Sequence, residues 1–289
     1  AQEAPTSPVT ISGSVALVSD YRFRGVSMTD KGMAVQGGIT ATHESGAYAG
    51  AWASNLSGWG TFGGPNLELD LFAGYAFPLG ENATLDVGLT WYMYPSGADE
   101  TDFAEPYVKL SSQFGPVKGL VGVAYAPKQE AIGKFYNSAA SYATGIPDNP
   151  GDKEDNFYVW GDISGAIPNT PVTLKAHLGW SKGNSGLGPN GTSIAPTGKY
   201  LDWLVGADVA IPGTPLTLSG HVGRSSGDAR DPVRAARLRP TGDYWDHGVA
   251  LDWYRGRWSA GLRYADTDID TSDSAHAGAS LIARVGVTL

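Results

Sequence analysis

Cysteine is absent from all 289 residues, so neither a disulfide frame nor thiolate chemistry is available. No apolar run approaches the ~18 residues of a transmembrane helix. Charged residues are sparse at 17% and sum to −9, a balance that excludes a nucleic-acid partner, which selects basic surfaces. The five histidines (His43, His177, His221, His247 and His276) show no metal-ligand spacing of the H-E-x-x-H kind. We therefore expect neither metal nor cofactor.

What the chain has in abundance is glycine (40), tyrosine (14) and tryptophan (9). Glycine weakens helices, whereas aromatic belts around a glycine-rich strand wall suit a membrane barrel. The pattern is alternating: Leu67, Leu69, Leu71, Ala73, Tyr75 and Phe77 form one stripe, and Asn66, Glu68, Asp70, Gly74 and Ala76 the other, with Phe72 out of step. We read about fourteen such strands, near 9–25, 33–44, 47–56, 66–77, 83–94, 104–114, 117–126, 156–165, 172–182, 201–211, 216–223, 244–254, 257–265 and 279–289. The sixth to eighth alternate least cleanly, which leaves twelve or sixteen strands open. Tight turns such as Ser45-Gly46, Gly115-Pro116 and Arg255-Gly256 alternate with long connections near 26–32, 57–65, 95–103, 127–154, 183–199, 224–243 and 266–278. That order predicts an all-β, antiparallel up-and-down transmembrane barrel over 9–289, with short periplasmic turns and long extracellular loops. Residues 1–8 are expected to be a flexible mature N-terminus left by signal-peptide removal, since the chain opens Ala1-Gln2-Glu3-Ala4-Pro5. The segment Ala166–Leu174 recurs as Ala210–Leu218, with His177, Gly179 and Ser181 matching His221, Gly223 and Ser225; this reads as a repeated turn.

A barrel of about fourteen strands is too wide for side chains to fill. The apolar stripe must then face lipid and the ionic stripe the lumen, because Arg or Lys facing mid-bilayer costs about 2–4 kcal/mol. The expected pore lining is Asp20, Arg22, Arg24, Glu68, Asp70, Asp86, Lys175, His177, Asp202, Asp208, Arg263 and Arg284, with His221, Asp246, Asp252 and Arg257 on the same face. Trp52, Trp91, Trp180, Trp203, Trp253, Trp258 and Tyr264 are expected in outward girdles.

At Val18-Ser19-Asp20-Tyr21-Arg22-Phe23-Arg24-Gly25-Val26-Ser27 the chain resembles the TorF-type porins of Gram-negative bacteria. Glu68–Tyr75, Leu85–Gly88 and Tyr92–Pro95 fit the same family. The resemblance implies an outer-membrane barrel with a general channel role and names no solute. The chain departs from many such barrels in ending on Leu289 rather than an aromatic residue.

Other motifs fail on context. Gly223-Arg224-Ser225-Ser226-Gly227 matches the G-x-S-x-G nucleophile pattern, but Gly179-Trp180-Ser181-Lys182-Gly183 repeats it at an equivalent strand end, and neither opens a helix. Gly186–Gly191 matches G-x-G-x-x-G without a following helix. Asp266, Asp268, Asp270 and Asp273 lack the glycine and glutamate of a calcium loop, and the acidic stretch Asp148–Asp155 is as weak. Asp231–Arg239 reads as a short capped helix whose arginines suit lipopolysaccharide phosphate or plain solvent. The expected activity is passive diffusion of small hydrophilic solutes, with weak cation preference because the mapped lumen is mildly acidic. The alternative is a closed barrel serving as a scaffold, with loop 127–154 as its plug or docking arm; a hydrolase ranks last. The expected surroundings are outer-membrane lipid and lipopolysaccharide; nothing in the sequence sets the oligomeric state.

Overall fold

The computed structural model describes residues 7–57, 66–95, 100–183, 188, 198–227, 243–270 and 274–289. In chain order the strands are β1 (Val9–Val18), β2 (Arg22–Phe23), β3 (Val26–Ser27), β4 (Ala34–His43), β5 (Ala47–Asn55), β6 (Leu67–Leu79), β7 (Ala83–Met93), β8 (Phe103–Phe114), β9 (Val117–Gln129), β10 (Glu154–Ala166), β11 (Val172–Ser181), β12 (Tyr200–Ala210), β13 (Leu216–Gly227), β14 (Tyr244–Arg255), β15 (Trp258–Thr267) and β16 (Ser280–Thr288). All but β2 and β3 form one closed barrel of fourteen antiparallel strands. Each strand pairs with its chain neighbour, and β16 returns to β1 from Ser14↔Thr288 to Val18↔Arg284. Closure leaves no strand edge unpaired, which is what lets a sheet sit in hydrocarbon.

The period-2 pattern becomes an inside and an outside. Ile11, Val35, Leu89, Val121, Leu178, Val249 and Leu281 all point away from the axis and are 43% exposed or more. Their alternates are glycine, serine, threonine and ionic residues. Among the described residues, the clusters of buried apolar side chains in contact with one another include one around Met28, Leu56, Tyr94 and Ala131 and one around Val26, Tyr244, Ile269 and Ala277, both at the long-loop end. Outward aromatics form two belts. Phe157, Trp180, Trp203, Trp245 and Tyr264 lie towards the loops, with Trp203 and Trp245 edge-to-face at 5.4 Å. Tyr75, Phe77, Phe114 and Trp258 lie towards the short turns, with the Tyr75 and Phe77 rings 4.4 Å apart.

The repeated segment makes the same turn twice. Ile167 N–H donates to Val172 O (2.8 Å) and Thr170 Oγ1 to Ile167 O (2.9 Å). Ile211 N–H donates to Leu216 O (2.9 Å) and Thr214 Oγ1 to Ile211 O (2.9 Å). Asn169 (φ 60°) stands in the left-handed position that Gly213 (φ 75°) fills in the other copy; asparagine is the side chain that best tolerates that region.

Two sequence expectations change. The first strand stops at Val18, not Gly25. Its wall ladder ends with Ser19 N–H to Ala283 O (2.9 Å), after which the chain turns off the wall and reverses through Arg24 (φ 49°) and Gly25 (φ 81°) into the β2–β3 hairpin. An inward hairpin alternates as a strand does, so the sequence pattern runs on unbroken through both. Trp52 also points inward, its ring edge-to-face with Tyr21 at 6.0 Å.

Candidate functional site

The lumen gathers most of the ionic side chains of the wall. Two adjoining cavities of about 850 and 870 Å³ occupy it and share Lys175, His177 and Leu204. The second is bordered by the short turns at Pro78–Thr84 and Ser111–Gln113, the first by the segment that leaves β1.

That segment, residues 19–32, crosses the barrel interior, because its contacts reach strands on opposite sides. Tyr21 Oη donates to Glu68 on β6 (3.4 Å). Arg24 pairs with Asp202 on β12 (3.1 Å) and stacks over the Tyr200 ring at 4.9 Å. Tyr244 Oη on β14 donates to Arg24 O (3.0 Å). Within the segment, Arg22 bonds Asp20 (2.7 Å) and Gly25 O (2.9 Å), and Ser27 Oγ donates to Asp20 (2.6 Å). The loop ends lock it: Arg22 reaches Gly278 O (2.9 Å), Ser27 N–H reaches His276 O (2.9 Å), and Ser57 Oγ donates to Thr29 O (2.5 Å). Val26, Ser27 and Thr29 are fully buried. The expected lining residues Asp20, Arg22 and Arg24 thus lie in the lumen, on this crossing segment and not on a wall strand.

Connection 130–153 plays a smaller part. Its Ala131 joins the cluster formed by Met28 of the crossing segment, Leu56 and Tyr94. The rest folds on itself around helix α1 (Ala139–Thr144), capped by Ser138, with Tyr142 exposed. The acidic stretch after it is occupied with local bonding: Asp152 accepts Lys134 N–H (2.8 Å), Glu154 pairs with Lys134 Nζ (2.6 Å), and Asp155 pairs with Lys182. Asp148 accepts Asn137 N–H (2.8 Å), which holds its carboxyl below the usual pKa range.

Wall charges mostly meet a counter-charge. Asp86 pairs with Lys109 (2.8 Å) and accepts Tyr48 Oη (2.6 Å). Lys175 pairs with Asp208 (2.6 Å). His177 sits between Asp162 (2.7 Å) and Asp202 (3.0 Å). His221 faces Asp246 (3.3 Å), the same His–Asp arrangement as His177 with Asp202, 44 residues on. Glu68, Asp70 and Glu105 stand at the loop end with Tyr21 and Tyr92, and one Asp70 oxygen is buried with no hydrogen bond among the described residues. Arg263 and Arg284 face inward on adjacent strands, exposed to the lumen.

Sequence reading missed Lys109, Glu105 and Asp162 as lumen groups, and it missed why the wall is so rich in glycine. Inward rings lie flat across the neighbouring strand: Phe72 over Gly50, Tyr48 over Gly74, Tyr107 over Gly88, Trp160 over Gly122 and Tyr158 over Gly179. A Cβ at any of these glycines would collide with the ring. An aromatic out of step with its stripe, as Phe72 is, was the signal available.

The tempting motifs dissolve into the wall. Ser225 and Ser181 face the lumen within continuous strands, with no strand-to-helix elbow at either. Asp266 accepts Tyr264 Oη (3.0 Å), and Asp268 accepts Trp245 N–H (2.7 Å). The arginine-rich stretch 231–239, Asp273, the N-terminal residues 1–6 and all of Gly186–Gly191 except Leu187's neighbour Gly188 lie outside the described residues.

Solved structures share this architecture at low identity. Over 97% of this chain and 95% of the other, it matches the outer membrane channel DcaP of Acinetobacter baumannii at 12% identity and a TM-score of 0.50. OccK8 (OprE) of Pseudomonas aeruginosa matches at 14% identity over 94% and 75%, TM-score 0.53. OprB of Pseudomonas putida matches at 9% over 97% and 94%, TM-score 0.52. At such identities the likeness is one of fold. No curated protein matches the sequence. The family description that fits residues 2–211 is "Bacterial protein of unknown function (Gcw_chp)", and on a match over most of its length the chain belongs to the Gcw_chp family.

Proposed function

We propose that this barrel is an outer-membrane channel for passive diffusion of small hydrophilic solutes, narrowed at its loop end by residues 19–32. The observation that carries the reading is the pairing of an apolar exterior with an ionic, water-accessible interior, where two cavities of about 850 and 870 Å³ adjoin. Such an exterior suits acyl chains, and ionic groups in a wide lumen suit water. The fold shared with the outer membrane channel DcaP supports it, as does the resemblance of residues 18–27 to TorF-type porins. Inward-facing carboxylates on the strands outnumber inward lysines and arginines, which favours a weak cation preference for small ions.

The experiment is conductance of the purified protein in a planar bilayer under a salt gradient. Discrete steps with a reversal potential favouring cations are expected; a barrel that inserts and never conducts refutes the channel. The second reading, a closed barrel acting as a scaffold, is favoured by one observation: residues 19–32 bridge opposite walls through bonds at both ends. Liposomes that fail to swell in any sugar or amino acid would support it.

A further inference from the structure

Most cations of the central cavity are already matched. Arg22 holds Asp20, Arg24 holds Asp202, and Lys175 holds Asp208. Arg263 and Arg284 line the same cavity and, among the described residues, neither has a carboxylate within ion-pair distance. Gly261 pairs with Arg284 and Arg263 with Ile282, so the two arginines are diagonal neighbours on β15 and β16. Such positions lie about 7–8 Å apart. Asp252, across Gly261 from Arg284, is the nearest acid by register and makes no ion pair with either.

Two guanidiniums carried on such neighbouring positions repel each other, and an anion held between them relieves that repulsion. Each offers a planar fork of N–H donors, and the pair can grip two oxyanion groups, or two edges of one. Lysines or neutral side chains would serve a merely wet wall. We propose that Arg263 and Arg284 form a binding site for a small multivalent oxyanion, carrying carboxylate or phosphate groups, on its way through the lumen. The proposal deepens the channel reading by naming a solute class. It is compatible with weak cation preference, since small ions follow the summed field of the lumen whereas a held solute follows two unmatched arginines.

The test is calorimetric titration of the detergent-solubilised protein with citrate, with glucose 6-phosphate and with glucose, alongside current block by the same three in a planar bilayer. Citrate and glucose 6-phosphate should bind and glucose should not; a gap between the two anions tells carboxylate from phosphate. Arg263→Gln with Arg284→Gln should weaken anion binding at least tenfold, while Asp252→Asn leaves it unchanged or tightens it. Arg263→Lys with Arg284→Lys, which keeps the charge, should lose less than the glutamine pair, and it serves if the glutamine variant does not fold. Conductance without anion binding or block overturns the site and leaves the channel standing. Anion binding without conductance overturns the channel and leaves the site standing. Equal binding by wild type and by the folded glutamine variant also overturns the site.

Discussion

At the scale of single residues, the lumen depends on what glycine omits. Tyr48 lies across Gly74 and from there donates to Asp86 (2.6 Å) and meets the Tyr107 hydroxyl at 2.5 Å, while Tyr107 lies across Gly88 and under Lys109 at 4.2 Å. Tyrosine, glycine, carboxylate and lysine thus form one tile, flat against the wall, that leaves the axis clear. Gly74→Ala puts a methyl where the Tyr48 hydroxyl is. The ring must rise into the lumen and give up Asp86, and overpacking of this kind costs about 1–3 kcal/mol. We expect the variant to convert from its folded to its unfolded gel mobility at a lower temperature and to show smaller conductance steps. Gly119→Ala, where nothing lies within 4 Å of the added methyl, should match wild type in both.

At the scale of elements, the strands were legible and the crossing segment was not, for the same physical reason. Period-2 alternation reports which side of a ribbon is wet, and it reported β4 to β16 within a few residues. It cannot report whether a ribbon lies in the wall or across the hole, because Asp20-Tyr21-Arg22-Phe23-Arg24 alternates in either place. Only long-range contacts separate the two, and Arg24 with Asp202 spans 178 positions of chain that no local pattern sees. Trp52 was misplaced likewise: its partner Tyr21 belongs to the crossing segment. The charged residues were assigned to the lumen from the cost of facing lipid, a rule that needs no contacts, but their pairing could not be read. The segment's tethers give a prediction. Asp202→Asn leaves Arg24 without its counter-ion and also removes the negative charge facing His177, and breaking such a pair costs about 3–5 kcal/mol. The segment should then leave the axis more often, with larger or more frequent openings in single-channel records. Asp208→Asn, which frees Lys175 but touches no tether, should leave opening frequency unchanged.

At the scale of the whole molecule, everything turns on which side of the wall meets water. Leu178 on β11 and Leu204 on β12 separate the two answers, since one substitution at near neighbours lands on opposite faces. Leu178 pairs with Trp203 on the outside and is 55% exposed; Leu204 pairs with His177 on the inside and borders both cavities. Leu178→Arg places a cation on the lipid face beside the loop-end aromatic belt, at a cost between the about 0–1 kcal/mol of the interface and the about 2–4 kcal/mol of the bilayer midplane. Leu204→Arg places the same cation beside His177, with Asp162 and Asp202 close by and water around it. Folding into lipid vesicles, followed by gel mobility without boiling, should be impaired for Leu178→Arg and near wild type for Leu204→Arg. A soluble barrel with a packed core demands the reverse order, because there the exposed position tolerates arginine and the enclosed one does not. Impairment at Leu204 with tolerance at Leu178 would therefore turn the barrel inside out, and with it would go the lumen, the crossing segment's role in it and the unmatched arginines.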